Sequence, residues 1–198
     1  MRIFFLNHLW SVLTVWSVLY ISDYTLTIWS ARLRRRSASE KIVYEGSYEL
    51  NPVFQREVDA LQWISWRFVR ALIVSNLLLT AIWLLDVQSS IELRSFALGA
   101  FISSELAIHV RHLRNLFLFK AMIGTDAVRG RIEYSRTVLL QLSAVELLAF
   151  SGLYAVLFLF TRSWFVVGGV LACLLLAGQH WWLSRRWAAR KPSSNTRD

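Results

Sequence analysis

The stretch SSELAIHVRHLRNL, residues 103–116, carries three side chains that can do chemistry within a largely apolar chain. Glu105, His109 and His112 are separated by four and then three residues. On a helix, residues at these separations share one face, here along roughly 10.5 Å of the helix axis. One carboxylate and two imidazoles on one face can bind a metal ion or pass protons.

The first interpretation of this face is a metal site with catalytic function. Glu105, His109 and His112 are the predicted ligands, for a divalent ion such as Zn²⁺ or Fe²⁺. Asp23 and Glu146 fall in other apolar segments, from which a carboxylate can complete the set. The spacing matches neither the His-Glu-x-x-His motif nor the Glu-x-x-His of di-iron bundles. The prediction therefore depends on residue type and helical geometry.

Two other interpretations of the same residues stay open. A neutral imidazole beside a carboxylate in a dry site can relay protons or act as a general acid–base pair. Alternatively, Glu105, the two histidines, Glu146 and Asn76 form interhelical hydrogen bonds that only fix how the helices pack. Such bonds contribute less than about 2 kcal/mol each.

The segments that carry these residues are typical of membrane-spanning helices. The chain has 198 residues, of which 56% are hydrophobic, and its mean hydropathy is +0.43. A helix of about 20 apolar residues crosses the hydrocarbon core, and helices satisfy their own backbone hydrogen bonds there. The predicted fold is an all-α polytopic bundle with five spans, at about residues 3–29, 68–86, 95–122, 137–160 and 164–184. Residues 1–184 are expected to form one bundle, followed by a basic tail at 185–198.

The distribution of Lys and Arg predicts the topology. Eight lie in segment 32–70, six in 111–136 and five after Leu183, whereas the other side has Arg2, Arg94 and Arg162. Because Lys and Arg near span ends favour the cytoplasmic side, the N-terminus is predicted outside and the C-terminus inside. A prokaryotic plasma (inner) membrane is the expected location.

The predicted cytoplasmic loop, residues 30–67, contains an amphipathic segment. From Pro52 onward, Phe54, Val58, Leu61 and Ile64 recur at helical spacing, with polar residues between them. This pattern predicts an interfacial helix that continues into the second span. Asn51 followed by Pro52 is typical of a helix start.

The sequence also resembles a group of small prokaryotic membrane proteins of unknown function. In that group an Asp with a nearby Thr at a helix end precedes a Glu-x-Asn-Pro motif. Here Asp23 and Thr27 precede YELNP at 48–52, so the resemblance covers about thirty residues. The resemblance implies a membrane protein without assigning an activity. It marks one feature shared with that group, formed by Asp23, Thr27, Glu49, Asn51 and Pro52.

Net charge and composition narrow the expected partners. The excess Lys and Arg residues, which give a net charge of +9, flank the predicted spans. Attraction to anionic lipid headgroups accounts for basic residues at these positions. No nucleic-acid recognition motif is present, so nucleic acid is not an expected partner. The remaining functions are a membrane enzyme acting on a lipophilic substrate, a homo-oligomeric ion or proton channel or transporter, and a non-catalytic scaffold or accessory subunit.

Overall fold

The computed structural model describes residues 8–85, 91–123 and 129–190. The described chain is an all-α bundle, as predicted, with one very small sheet. Its elements, in chain order, are α1 (Leu9–Ser37), β1 (Ile42–Tyr44), α2 (Gln55–Asp59), α3 (Trp66–Leu85), α4 (Ile91–Ala121), β2 (Ile132–Tyr134), α5 (Arg136–Thr161) and α6 (Trp164–Arg190).

Four helices of the described chain, α3 to α6, are long and apolar enough to cross a membrane. The protein is therefore a membrane protein. α1 was predicted as a further span, and at 29 residues it is long enough, but it falls outside this set. Ser22, Asp23 and Tyr24 at its midpoint, together with several tryptophans, make it less apolar than the other four.

The observed helix ends depart most from the predicted spans in α1 and α6. α1 continues to Ser37, so Asp23 lies in the middle of a helix and not at its end, and three arginines occupy its last turn. α6 continues to Arg190, so the first residues of the predicted basic tail are helical. The start of the first predicted span, the end of the second and the tail beyond 190 lie outside the described residues.

α6 packs along both α4 and α5, and α1 packs against α4 and α3. Glycines allow the close approach of α4 and α6: a Cβ at Gly168 would lie 2.0 Å from the Phe96 carbonyl oxygen, and one at Gly99 would lie 1.7 Å from that of Phe165. The predicted hairpin is also present, because α5 ends at Thr161 and α6 begins at Trp164, with Arg162 left-handed at φ 51° between them.

The segment between α1 and α3 differs from the predicted interfacial helix. α2 has five residues, and Leu61 follows it with a left-handed φ of 53°, which interrupts the helical path before α3. Asn51 does not cap the helix: its side-chain oxygen accepts from the Val53 amide at 3.0 Å, in a turn that precedes α2. The predicted amphipathic pattern therefore covers a turn, a short helix and an extended connection.

The two strands pair in parallel, with Ile42 opposite Ile132 and Tyr44 opposite Tyr134. This pairing joins the connection after α1 to the connection before α5, and it was not predicted. We call this end of the bundle the strand end and the opposite end, at the α5–α6 turn, the hairpin end. Towards the hairpin end, the interior is filled by an apolar cluster of Val12, Trp16, Leu79 and Leu98.

Candidate functional site

Asp23 of α1 and Glu105 and His109 of α4 meet near the middle of the bundle. One potential ligand atom from each of these side chains lies within 4.8 Å of the other two. The contact between α1 and α4 brings the three together, although they are far apart in sequence. Asp23 thus joins Glu105 and His109 directly, and two carboxylates and one imidazole form the centre of the site.

The hydrogen bonds of His109 define which ring nitrogen is available. Nδ1 lies 2.8 Å from the carbonyl oxygen of Glu105, and Nε2 lies 2.7 Å from the Ser22 hydroxyl. Because a carbonyl oxygen only accepts, Nδ1 must carry the proton. In the neutral ring, Nε2 then presents its lone pair towards the Ser22 hydroxyl, whose single proton also lies within reach of the Leu19 carbonyl oxygen at 2.8 Å. A backbone carbonyl that holds the opposite nitrogen is the usual arrangement for a metal-binding histidine.

His112 lies one turn further along α4 and contacts α1. Its Nε2 is 3.1 Å from Asp23 Oδ1 and 3.2 Å from the Thr27 hydroxyl. The contact with Asp23 is short enough for an ion pair but lacks the geometry of a hydrogen bond, so Oδ1 has no hydrogen-bond donor. His112 therefore stands next to the Asp23–Glu105–His109 group, on the side facing the strand end.

Several polar atoms of the site are buried without a hydrogen-bond partner in the described chain. They are Asp23 Oδ1, Glu105 Oε1 and His112 Nδ1. Glu105 is only 6% exposed. Leaving a buried acceptor unpaired costs about 1–3 kcal/mol, and more when it is charged. Since two of these atoms are carboxylate oxygens, a cation shared between Asp23 and Glu105 would remove most of that cost, and the donor set suits a divalent metal.

A cavity of about 190 Å³ opens beside this group. Its wall includes Asp23, Thr27, Glu105 and His112, together with residues of α6 and of the loop at 49–54. A cavity of this size can hold water and a small polar group next to a bound ion. A group of three potential metal ligands, two of which (Asp23 and Glu105) line an open cavity, has the composition of catalytic rather than structural metal sites.

Glu49 and Asn51 line the same cavity, so the two parts of the Asp–Thr and Glu-x-Asn-Pro pattern face a common space. Asn51 donates its backbone N–H to Glu49 Oε1 at 2.7 Å, and Arg136 donates to the Leu50 carbonyl at 3.2 Å, which holds the loop in place. Burial raises the pKa of Glu49, and the nearby charge of His112 opposes that shift. The loop thus presents a carboxyl group that favours its protonated form more than a free one does.

Glu146, which was predicted as a helper of the site, lies apart from it. Its Oε1 accepts from Arg114 at 2.5 Å, and it is not among the residues that line the cavity at Asp23. Asn76 also lies elsewhere, exchanging hydrogen bonds of 3.2–3.3 Å with Ser17 between α1 and α3. Asn76 thus makes the structural interhelical contact that was one interpretation of the polar residues.

Ser22, Arg111 and His180 contribute to the site region although their role there was not predicted. Ser22 contacts His109, and both Arg111 and the Nδ1 of His180 hydrogen-bond to the Ser143 hydroxyl. Arg111 and His180 line the cavity. The sequence signal for His180 is its depth in α6, which matches that of His112 in α4, whereas nothing in the sequence distinguishes Ser22 from the other serines of α1.

Comparisons of this chain with protein-family models, with curated proteins and with solved structures found no match. The chemistry of the site must therefore be argued from its own geometry. Two carboxylates and an imidazole at one point, an adjacent second imidazole and an adjacent cavity can bind a divalent ion, position a water molecule and transfer protons.

Proposed function

We propose that this protein is a membrane-embedded enzyme that uses a divalent metal ion, such as Zn²⁺ or Fe²⁺, to act on a lipophilic substrate. Asp23, Glu105 and His109 are the ligands, and the observation that carries the proposal is their convergence within 4.8 Å. When bound, the ion would supply Lewis acidity and an activated water molecule. Glu105 and His109 lie in the middle of α4, one of the helices long and apolar enough to cross a membrane, which favours a lipophilic substrate.

The residues around the ligands have separate roles in this proposal. The Glu105 carbonyl fixes the tautomer of His109 through Nδ1, so that Nε2 can bind the ion. His112, in contact with Asp23 and Thr27, holds or moves a proton beside the cavity. Glu49, whose pKa is raised by burial, supplies a second proton-carrying group from the loop.

The strand end is proposed to face the cytoplasm. The three Arg residues in the last turn of α1, and Arg185, Arg186 and Arg190 near the end of α6, belong to this end. Excess Lys and Arg marks the cytoplasmic side, and they would also contact anionic headgroups of a prokaryotic inner membrane. The site would then be reached from the cytoplasmic leaflet, and the N-terminus would lie outside.

Elemental analysis of the purified protein tests the metal. We expect about one equivalent of metal per wild-type chain and a loss of most of it in Asp23→Asn, Glu105→Gln and the double variant His109→Ala/His112→Ala. Glu146→Gln is the matched control, because it removes another intramembrane carboxylate that is paired with Arg114 outside the site. Wild-type protein that assembles normally but binds no metal after reconstitution would overturn the proposal and favour a scaffold.

An ion or proton pathway has less support than an enzyme. The cavity lies on one side of the apolar cluster formed by Val12, Trp16, Leu79 and Leu98, and Phe101 and Phe165 pack against that cluster. A pathway through one chain would have to cross this packed region in the described part of the bundle. A homo-oligomer with a shared axis would avoid it, so proton flux in liposomes that is abolished by Glu105→Gln would favour the transport alternative.

A further inference from the structure

A second and larger cavity, of about 510 Å³, lies between α4 and α5 towards the strand end. Both helices pack closely on α6 but much less on each other. Long side chains bridge the gap instead: Arg114 reaches Glu146, and Arg111 reaches Ser143. We call this cavity the lateral cleft. Its volume is in the range of cavities that bind small organic ligands.

The lateral cleft is lined by both apolar and polar side chains. Leu142 and Val145 of α5 are 53% and 57% exposed and would face the acyl chains of the bilayer, and Leu118 of α4 is also exposed. The polar lining residues include Arg111, Tyr48, Asn115 and Glu49. An amphipathic molecule, with a hydrocarbon part towards the bilayer and a polar part inside, matches this arrangement.

Arg111 offers a positive charge in the cleft that can bind the polar part of such a molecule. It is half-buried, and its described hydrogen bond is to the neutral hydroxyl of Ser143. No described carboxylate lies within ion-pair distance of it, whereas Arg114 at the same cleft is paired with Glu146. Guanidinium groups bind phosphate through charge-assisted hydrogen bonds, and a partly buried site strengthens them.

The lateral cleft and the cavity at the proposed metal site share part of their walls. Glu49, Leu50, Arg111 and His112 line both of them. His112 in turn contacts Asp23. A phosphate held by Arg111 would therefore lie at the boundary of the two spaces, next to the proposed catalytic group.

We propose that the lateral cleft binds a membrane phospholipid, with its phosphate at Arg111 and its acyl chains passing between α4 and α5 into the bilayer. The lipid reaches the cleft sideways from the leaflet at the strand end. Only one part of this inference depends on the proposed function, namely that the bound phospholipid is the substrate of the metal site. Binding itself requires the cleft and Arg111, not the metal.

Native mass spectrometry of the full-length protein in detergent tests the lipid site. The probes are phosphatidylglycerol, diacylglycerol, which lacks the phosphate, and inorganic phosphate as a competitor. We expect Arg111→Gln to weaken phosphatidylglycerol binding by roughly tenfold or more, since a charge-assisted contact is lost. Arg36→Gln is the matched control, because Arg36 is exposed at the end of α1 and lines neither cavity.

A second pair of variants tests the apolar part of the cleft. Leu142→Trp should obstruct it and weaken binding to a similar degree. Leu153→Trp introduces the same bulk at an equally exposed position of α5, 52% against 53%, outside the cleft, and should leave binding unchanged. Equal weakening by both tryptophans, or equal binding of diacylglycerol, would indicate non-specific surface lipid and overturn the inference. Displacement of the lipid by millimolar inorganic phosphate would also overturn it.

Metal content measured on the same preparations separates the two proposals. Lipid binding that depends on Arg111 in a protein without metal would refute the proposed enzyme but keep the lipid site. Bound metal together with lipid binding that is unaffected by Arg111→Gln would refute the lipid site but keep the metal centre. Arg111→Gln is expected to retain its metal, because Arg111 is not one of the three ligands.

Discussion

Replacing Glu105 by Gln is expected to change stability in opposite directions with and without metal. In the metal-free protein, Glu105 Oε1 is buried and lacks a hydrogen-bond partner in the described chain, which costs about 1–3 kcal/mol. Gln cannot ionise, has nearly the same volume and adds an N–H donor beside the unpaired Asp23 Oδ1, so the metal-free variant should be more stable than the wild type. With metal at 100 times its dissociation constant, the wild type gains about 2.7 kcal/mol that the variant, lacking one ligand, does not.

The assay is thermal unfolding in detergent followed by tryptophan fluorescence, in a chelator and then with added Zn²⁺. The order of the two midpoints should reverse between the conditions. A Glu105→Gln protein that is less stable than the wild type in chelator would refute the argument from the unpaired carboxylate. Equal stabilisation of both proteins by Zn²⁺ would place the metal elsewhere. Glu146→Gln, whose carboxylate is paired with Arg114, should show no reversal.

Three further outcomes follow from the packing, the loop and the topology. Gly168→Leu should destabilise the bundle by about 1–3 kcal/mol or prevent assembly, because the added atoms overlap the backbone of α4. Gly178→Leu is the control: nothing lies within 4 Å of its Cβ position, so it should be tolerated in the same unfolding assay. Burial raises the pKa of Glu49 above its usual 4.5, so the folded state holds this proton more tightly than the unfolded state does. The stability of the wild type should therefore fall as pH rises above 4.5. In unfolding midpoints measured from pH 4 to 8, Glu49→Gln should flatten that dependence. Ser39→Cys should react with a membrane-impermeant maleimide only from the cytoplasmic side and Ser163→Cys only from outside, and the reverse pattern would contradict the proposed orientation.

Most of the helical framework was predictable because a membrane imposes a simple rule on the sequence. Apolar runs of sufficient length become helices, and the bounds of α3 and α5 lie within two residues of the predicted spans where both are described. The short elements were not predictable in the same way. α2 and the two strands depend on contacts distant in sequence, and the left-handed turn at Leu61 interrupts a pattern that is helical by spacing alone.

The candidate site, too, was predictable only in part. Helical spacing correctly places Glu105, His109 and His112 along one side of α4, but it does not reveal which neighbouring helix faces them. Asp23 meets this side because it lies on the face of α1 that packs against α4. Glu146, which the sequence places at a comparable depth in the membrane, pairs with Arg114 instead. The metal-binding role of these residues remains a prediction.

The small parallel sheet ties the loop of the site to the base of α5. β1 pairs with β2, and Arg136, at the start of α5, donates its backbone N–H to the Glu45 carboxylate and its guanidinium to the Leu50 carbonyl. Any swing of α5 away from α4 that widened the gap for a lipid would pull on the segment carrying Glu49. The sheet thus acts as a mechanical link, through which widening the lateral cleft would move Glu49 away from the cavity at Asp23.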